Sequence, residues 1–299
     1  MALYKRGLPP SLSHYLPYPK ESGLGKAVGR KDLFQSWCDA ENIPTPLTRL
    51  VHSWEELTLA AQETGWPCFL KRSAGSGGTT VFKLDSEEGA LAFRPQLASG
   101  DTWLVQKMVS GKAGCVLFFA DRGEVRAWFG FEFRICLNQG KGPMVLGDFV
   151  SNATLAALCR QVAKSSGITG LTGFDFMETE AREYQVIDSH LGRTTAANHF
   201  GKWCGVNFGE AIRRWLEGEA DFSVEPTPSP TQVIKFPEVI DLLFQQGPFA
   251  FRDHLTTAKN TRVAWGAASD KWLMAEMAWS TLIGNLRVIG GRWHRRLIS

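Results

Sequence analysis

At 299 residues, with 44% hydrophobic and 21% charged residues, the chain has the make-up of a soluble globular protein with room for two domains or one large composite domain. A net charge of +3 is too small to indicate a nucleic-acid partner. No apolar run is long enough to span a bilayer, and no basic segment followed by an apolar core and cleavage site marks a secretory leader, so a cytoplasmic protein is expected. The six cysteines, Cys38, Cys68, Cys115, Cys136, Cys159 and Cys204, form no C-x-x-C pair. Several lie in apolar runs such as "WPCFL" and read as buried, reduced thiols.

The first 30 residues are rich in Pro, Gly, Ser and Lys, show no sustained period and read as an irregular arm. "KDLFQSWCDAEN" then carries Leu33, Phe34, Trp37 and Cys38 at helical spacing. "IPTP" stops that helix and leads into a short strand, "LTRLV". Ser53 followed by Glu56 is a capping box for a helix over "WEELTLAAQET", which Gly65 ends. "PCFLKR" and "TTVFKL" read as two strands of a hairpin over 67–84, joined by the glycine-rich tip "AGSGG". A short helix at "SEEGALAF" precedes three apolar strands, "TWLVQKMV", "GCVLFFAD" and "EVRAWFGFEFRICL". The second and third are joined by the turn Asp121-Arg122-Gly123. The glycine-containing stretch "NQGKGPMVLG" reads as a loop, and "NATLAALCRQVAKSSG" as a helix. The strands "LTGFDFME" and "EYQVIDS" follow, joined by a polar turn, and then the helix "FGEAIRRWLEG". Prolines and serines in "VEPTPSPTQ" mark a boundary, after which the chain is expected to be mostly helical.

Two features carry chemistry. In the hairpin tip, Gly75, Gly77 and Gly78 flank Ser76. Glycines let backbone N–H groups approach phosphate oxygens with no Cβ in the way, and Lys71 ends the preceding strand within reach of the same anion. No G-K-[ST] follows and no helix begins there, so this is not a P-loop; a plain flexible loop is the other reading. Asp175 lies in "GFDF", and Asp188 ends the next strand. Two carboxylates on paired strands can share a divalent cation, and Mg²⁺ usually takes one or two carboxylates together with substrate phosphates. In "DSHLGR", Asp188 and His190 are two apart on an extended chain and project to one side. They suit a metal, an ion pair or an exposed polar turn.

Taken in order, these pieces resemble the ATP-grasp superfamily over roughly residues 31 to 220. "PCFLKRSAGSGGTTVFKL" looks like the phosphate-binding lysine and glycine-rich loop, "LVQKMVSG" like the hinge that holds adenine, and "GLTGFDFMETEAREYQVIDSHLGRTT" like the metal-binding strand pair. The resemblance implies an α+β protein whose two lobes, each with an antiparallel sheet, grip a nucleotide. Residues 1–30 would be an arm, 31–107 the small lobe with its lid, 108–220 the large lobe with the metal site, and 221–299 a mostly helical extension. Lys31 and Lys71 resemble the two nucleotide-binding lysines, and Ser76, Gly77 and Gly78 the lid. Val105, Gln106, Lys107 and Met108 resemble the hinge. Arg134 lies where the family often has an arginine facing the acyl-phosphate. Asp175, Asp188 and His190 match the three metal-ligand positions.

The family's metal motif usually ends in glutamate, any residue, asparagine, proline, arginine. Here Asp188 and His190 replace the glutamate and asparagine, and Arg193 comes one position late. Histidine suits Mn²⁺ or Zn²⁺ better than Mg²⁺. Many relatives also carry an α/β domain before the first lysine. Only 30 residues precede Lys31, so residues 221–299 are expected to help build the acceptor site. The implied activity is ATP-dependent ligation of a small-molecule carboxylate to an amine (or thiol) through an acyl-phosphate. Mg²⁺ or Mn²⁺ would assist, and Lys71 and Arg134 would be the catalytic cations. The alternatives are a kinase on the same fold, or a nucleotide-binding pseudoenzyme that scaffolds or regulates a partner.

Overall fold

The computed structural model describes residues 17–18, 24–75, 78–97, 100–140, 142–190, 196–219, 221–247, 261–265, 275 and 278–283. The chain divides into two compact units, Met1–Phe131 with Val150–Thr227, and Glu132–Phe149 with Pro228–Ser299.

The first unit holds a four-stranded sheet of β1 (Thr48–Val51), β2 (Cys68–Arg72), β3 (Val81–Leu84) and β4 (Trp103–Lys107), in the order β1-β4-β2-β3. Its ladders β1·β4, β2·β4 and β2·β3 are all antiparallel. The expected hairpin is present, with Lys71 opposite Val81 and Cys68 opposite Leu84. Helix Trp54–Thr64 begins at Ser53, whose hydroxyl accepts the Glu56 N–H, and turns Leu57, Ala60 and Ala61 inward. They pack with Val51, Leu70, Leu84, Trp103 and Val105 in the core of this sheet.

The same unit contains β5 (Gly111–Asp121), β8 (Gly170–Thr179), β9 (Tyr184–Ser189) and the start of β6 (Glu124–Cys136), in the order β6-β5-β8-β9. Ladders β5·β8 and β8·β9 are antiparallel. Both faces of β5 are buried, as its unbroken apolar run implies. Val116, Phe118 and Ala120 pack with Phe174, Phe176 and Val186 against Leu155, Cys159 and Val162 of helix Ala153–Ser166. On the other face, Phe119 meets Trp215 of helix Phe208–Leu216 edge-on at 5.8 Å. Helix Lys31–Ala40, which sequence order assigns to the small lobe, sends Phe34 and Cys38 into this second core instead. Burial pushes the thiols of Cys38, Cys159 and Cys204 well above the ordinary range.

In the second unit, β10 (Gln232–Phe236) lies between β7 (Met144–Val150), antiparallel to it, and β11 (Thr261–Trp265), parallel to it. Helix Glu238–Gln246 places Leu242 against Ile135, Leu137, Val145 and Leu146. Two sequence expectations change here. "PMVLG", read as loop because of its glycines and proline, forms β7. The region 221–299, expected to be mostly helical, contributes β10 and β11 as well as helix among its described residues. Each is a five-residue run whose partner strand lies elsewhere in the sequence, so local periodicity gives little warning of it. Among the described residues no helix is long and apolar enough to cross a membrane.

Gly173 on β8 is required by close approach. A Cβ there would stand 2.2 Å from the Val116 carbonyl oxygen and 2.7 Å from Leu117 Cδ2. Backbone of β5 cannot yield without breaking its ladder. Gly173→Ala is expected to cost about 1–3 kcal/mol, measured as a lower midpoint in urea unfolding with an unchanged m-value. An unchanged midpoint would mean that β5 and β8 are further apart than described.

Candidate functional site

Strand pairing assembles the acidic part of the site. Cys115 on β5 is the direct partner of Asp175 on β8, and Asp175 is the direct partner of Asp188 on β9. Direct partners project to the same face of a sheet, so three side chains from three strands stand in one row. Their neighbours Val116, Phe174 and Phe176 point the other way, into the core.

Asp188 reaches this face through a register shift. Phe176 pairs with Val186, but Asp175 pairs with Asp188, leaving Ile187 with no residue opposite it. Val186 is in the core. With strict alternation Asp188 would face the core too; the extra residue reverses the parity and turns its carboxylate outward. The chain then carries His190 back over β8. Its N–H is given to the Gly173 carbonyl at 2.9 Å, and its own carbonyl accepts the Thr172 hydroxyl at 3.2 Å. With the backbone held at both groups, His190 Nε2 lies 2.8 Å from Asp175 Oδ1.

The basic part comes from β2 and from the start of helix Lys31–Ala40. Lys71 is buried, 8% exposed, and its ammonium donates to the Ile187 carbonyl at 3.0 Å. Burial pulls its pKa down from the ordinary 10.5 to about 8; Asp188 and Asp175 work against that shift, and Lys31 adds to it. Lys31 Nζ donates to the Gly75 carbonyl at 2.8 Å. The helix start is fixed to the end of β2. Lys31 N–H is given to the Ser73 carbonyl at 2.9 Å, while Arg30 Nε donates to both Asp32 Oδ1 (3.0 Å) and Ser73 Oγ (2.9 Å), and Ser73 Oγ donates to Asp32. Burial opposes ionisation of Asp32, but hydrogen bonds from Arg30 and Ser73 outweigh it and hold the carboxyl below its usual range. The glycine-rich tip therefore springs from a fixed base. Gly75 (φ 132°) and Gly78 (φ 73°) occupy backbone conformations that disfavour side chains, and a Cβ on Gly75 would fall 2.5 Å from Thr80. Ser76 and Gly77 lie outside the described residues.

Of the residues singled out from sequence, Lys31, Lys71, Gly78, Asp175, Asp188 and His190 lie in the first unit, the lysines and acids close enough to act on one ammonium. Lys71, expected to end its strand, is the next-to-last residue of β2 and is buried. Val105 and Gln106 lie inside β4, between β1 and β2, so the ladders take their backbone groups; Gln106 Nε2 bonds Thr48 Oγ1 at 2.9 Å. Lys107 N–H is given to the Leu47 carbonyl at 2.8 Å, and Met108 follows the strand's last residue. Arg134 belongs to the second unit, where its guanidinium pairs with Asp148 and stands 3.8 Å from Glu132. Sequence reasoning passed over Cys115, Asp32 and Ser73. Cys115 sits inside an apolar run, and only its register against Asp175 marks it.

No family profile matches the chain, and no curated protein matches it. Solved structures do. It is similar to the biotin carboxylase domain of Hydrogenobacter thermophilus 2-oxoglutarate carboxylase, solved with MgADP, ADP and bicarbonate, with 20% identity and a TM-score of 0.57 over 70% of this chain and 50% of that one.

 It is similar to phosphoribosylamine–glycine ligase from Thermotoga maritima, with 15% identity and a TM-score of 0.57 over 71% of this chain and 59% of that one. It is also similar to the ATP-grasp ligase PsnB, solved with the precursor peptide PsnA2 and AMPPNP, with 16% identity and a TM-score of 0.50 over 68% of this chain and 61% of that one. The chain thus spans about half to three-fifths of the length of the proteins it matches. The likeness is one of fold: the chain has the ATP-grasp fold, α+β with two antiparallel-rich sheets.

The Lys71 environment has a pH signature. Its folded pKa lies below the unfolded one, so between about pH 8 and 10.5 the unfolded chain holds more protons and stability rises with pH. A polyphosphate at the ammonium needs the charged form, so its affinity is expected to be full below about pH 8 and to fall above it, by up to about tenfold per pH unit. Titration calorimetry with ATP across pH 7–10 checks this. The slope should disappear in Lys71→Met; a slope of equal size in that variant would place the titrating group elsewhere.

Proposed function

We propose that the protein is an ATP-dependent ligase that joins a small-molecule carboxylate to an amine (or thiol) through an acyl-phosphate. The observation that carries this reading is the meeting, in one unit, of Lys71 from β2 and Lys31 from the start of helix Lys31–Ala40 with Asp175 and Asp188 of the β8–β9 pair and His190 just beyond it. Cations beside acids at the root of a glycine loop suit a nucleotide's phosphates and the divalent ion that accompanies them. Lys71 and Lys31 would hold the phosphates, with the backbone N–H groups of Gly75 and Gly78 beside them. Met108, just past the end of β4, is the hinge position best placed to meet adenine, because Val105 and Gln106 are committed to the sheet.

The substrate carboxylate oxygen attacks the γ-phosphorus and ADP leaves. The amine then attacks the acyl carbon, phosphate leaves, and the amine proton passes to solvent. The protein's part is to position these groups and to stabilise charge on the transferring phosphoryl with Lys71. Asp175, Asp188 and His190 would offer a divalent cation two carboxylates and one ring nitrogen, and Mg²⁺ or Mn²⁺ held there would neutralise phosphate charge. The imidazole favours Mn²⁺ relative to an all-oxygen site. A cytoplasmic location and small-molecule partners belong to the same reading. Release of ADP from ATP, screened over amino acids and small acids with Mg²⁺ and Mn²⁺ compared, tests it. A stable phosphate ester as product would make the protein a kinase. ATP binding with no ADP release across the screen would favour the pseudoenzyme, the reading supported by the engagement of Asp175 with His190.

Two variants sharpen the assignment. Lys71→Ala is expected to weaken ATP binding by about 1.5–3 kcal/mol, the scale of a charged hydrogen bond. Its fold should survive, because the substitution removes a charge whose burial is costly. Calorimetry showing wild-type affinity would remove Lys71 from the phosphate site. His190→Asn should shift metal preference from Mn²⁺ toward Mg²⁺, since an amide oxygen is the harder ligand; an unaltered preference would take His190 out of the cation site.

A further inference from the structure

The row of side chains on β5, β8 and β9 contains a donor that the ligase reading does not use. Cys115 faces Asp175 directly across the β5·β8 ladder, and its side chain is almost wholly buried. The Cys115 sulfur, an Asp175 carboxylate oxygen and a His190 ring nitrogen all lie within 4.8 Å of one another. Donors around a tetrahedral ion with bonds of about 2.0–2.3 Å stand roughly 3.3–3.8 Å apart. Coordination would therefore need the donors to adjust by about 1 Å from their present separations.

We propose that Cys115, Asp175 and His190 form a binding site for a thiophilic divalent cation of the zinc type, with one coordination position left open. The chemistry of the donors selects the ion. Mg²⁺ and Ca²⁺ take oxygen ligands, whereas a thiolate with an imidazole and a carboxylate suits Zn²⁺ and its spectroscopic substitute Co²⁺. Binding converts the Cys115 thiol to a thiolate, with the sulfur–metal bond replacing the S–H bond and the proton passing to solvent. The support around the ligands is rigid. Cys115 and Asp175 are locked by the ladder, and His190 is anchored at both backbone groups to Gly173 and Thr172. The side chains of His190 and Asp175 keep 13% and 23% exposure, which leaves a way in for an ion. The site does not depend on nucleotide binding, but it shares Asp175 and His190 with the cation site of the ligase reading. Zinc held by the thiolate and a magnesium ion bound with nucleotide would therefore exclude each other.

The test uses the whole chain without nucleotide. Co²⁺ is titrated in while thiolate-to-cobalt charge-transfer absorption is followed in the near ultraviolet, and Zn²⁺ is then added to displace it. The expected result is one ion per chain, with a charge-transfer band that Zn²⁺ abolishes. Cys115→Ser should lose the band. His190→Gln should keep the band but bind at least tenfold more weakly. No band in the wild type, a band that survives in Cys115→Ser, or unchanged affinity in His190→Gln would overturn the site. Should Cys115→Ser fail to fold, alkylation of the wild-type protein answers the same question. Zn²⁺ should slow labelling of Cys115 but not of the partly exposed Cys136, as mapped by peptide mass spectrometry. Equal labelling of Cys115 with and without Zn²⁺ counts against coordination. Because nucleotide is absent throughout, these outcomes are separate from those of the ATP-binding and ADP-release measurements.

Discussion

A single hydrogen bond, from the Lys71 ammonium to the Ile187 carbonyl, joins residues 116 apart in sequence and ties the small sheet to the edge of the larger one. It places a buried positive charge against the one residue of β9 that has no partner opposite it. A bulge frees a backbone carbonyl from the ladder, and a buried carbonyl needs a donor. Lys71 supplies that donor and is itself an ammonium removed from water, kept charged by Asp188 and Asp175. Each element thus relieves the cost of another. The bulge turns Asp188 toward the lysine, the acids stabilise the lysine, and the lysine satisfies the bulge.

This arrangement explains why so much of the fold was legible and some of the site was not. Helices Lys31–Ala40, Trp54–Thr64 and Ala153–Ser166 announce themselves by apolar spacing and by caps such as Ser53 and Asn152. The β2–β3 hairpin and the strands β4, β5, β6, β8 and β9 follow from apolar runs punctuated by turns. β10 and β11 are short, and what makes them strands is pairing with distant segments, while β7 is hidden by the glycine within it and the proline before it. Helix Lys31–Ala40 has an amphipathic pattern that demands burial but does not specify which sheet provides it; Phe34 and Cys38 settle in the core of β5, β8 and β9.

Lys71, Asp188 and His190 stood out as charged or polar groups at the ends of apolar strands, and Asp175 as a carboxylate within one. The sequence carried no mark of Cys115, which resembles its apolar neighbours until the ladder sets it beside Asp175. Nor did it reveal that Gln106 and Val105 would be absorbed by a central strand, or that Arg30, Asp32 and Ser73 would pin the base of the glycine tip. These are properties of register and packing. Residue type suggests which groups are able to do chemistry, while strand pairing decides which of them meet.

The bulge at Ile187 contributes a backbone group as well as a change of register. A chain lacking Ile187 would set Asp188 directly after Val186, and strict alternation would still turn its carboxylate outward opposite Asp175, but the carbonyl that accepts the Lys71 ammonium would be gone. The loss would come from a residue whose side chain has no chemistry to offer. Substitutions along β9 thus alter one side chain at a time, whereas removal of the bulged residue would take a backbone acceptor from the buried lysine and leave the acids on their present face.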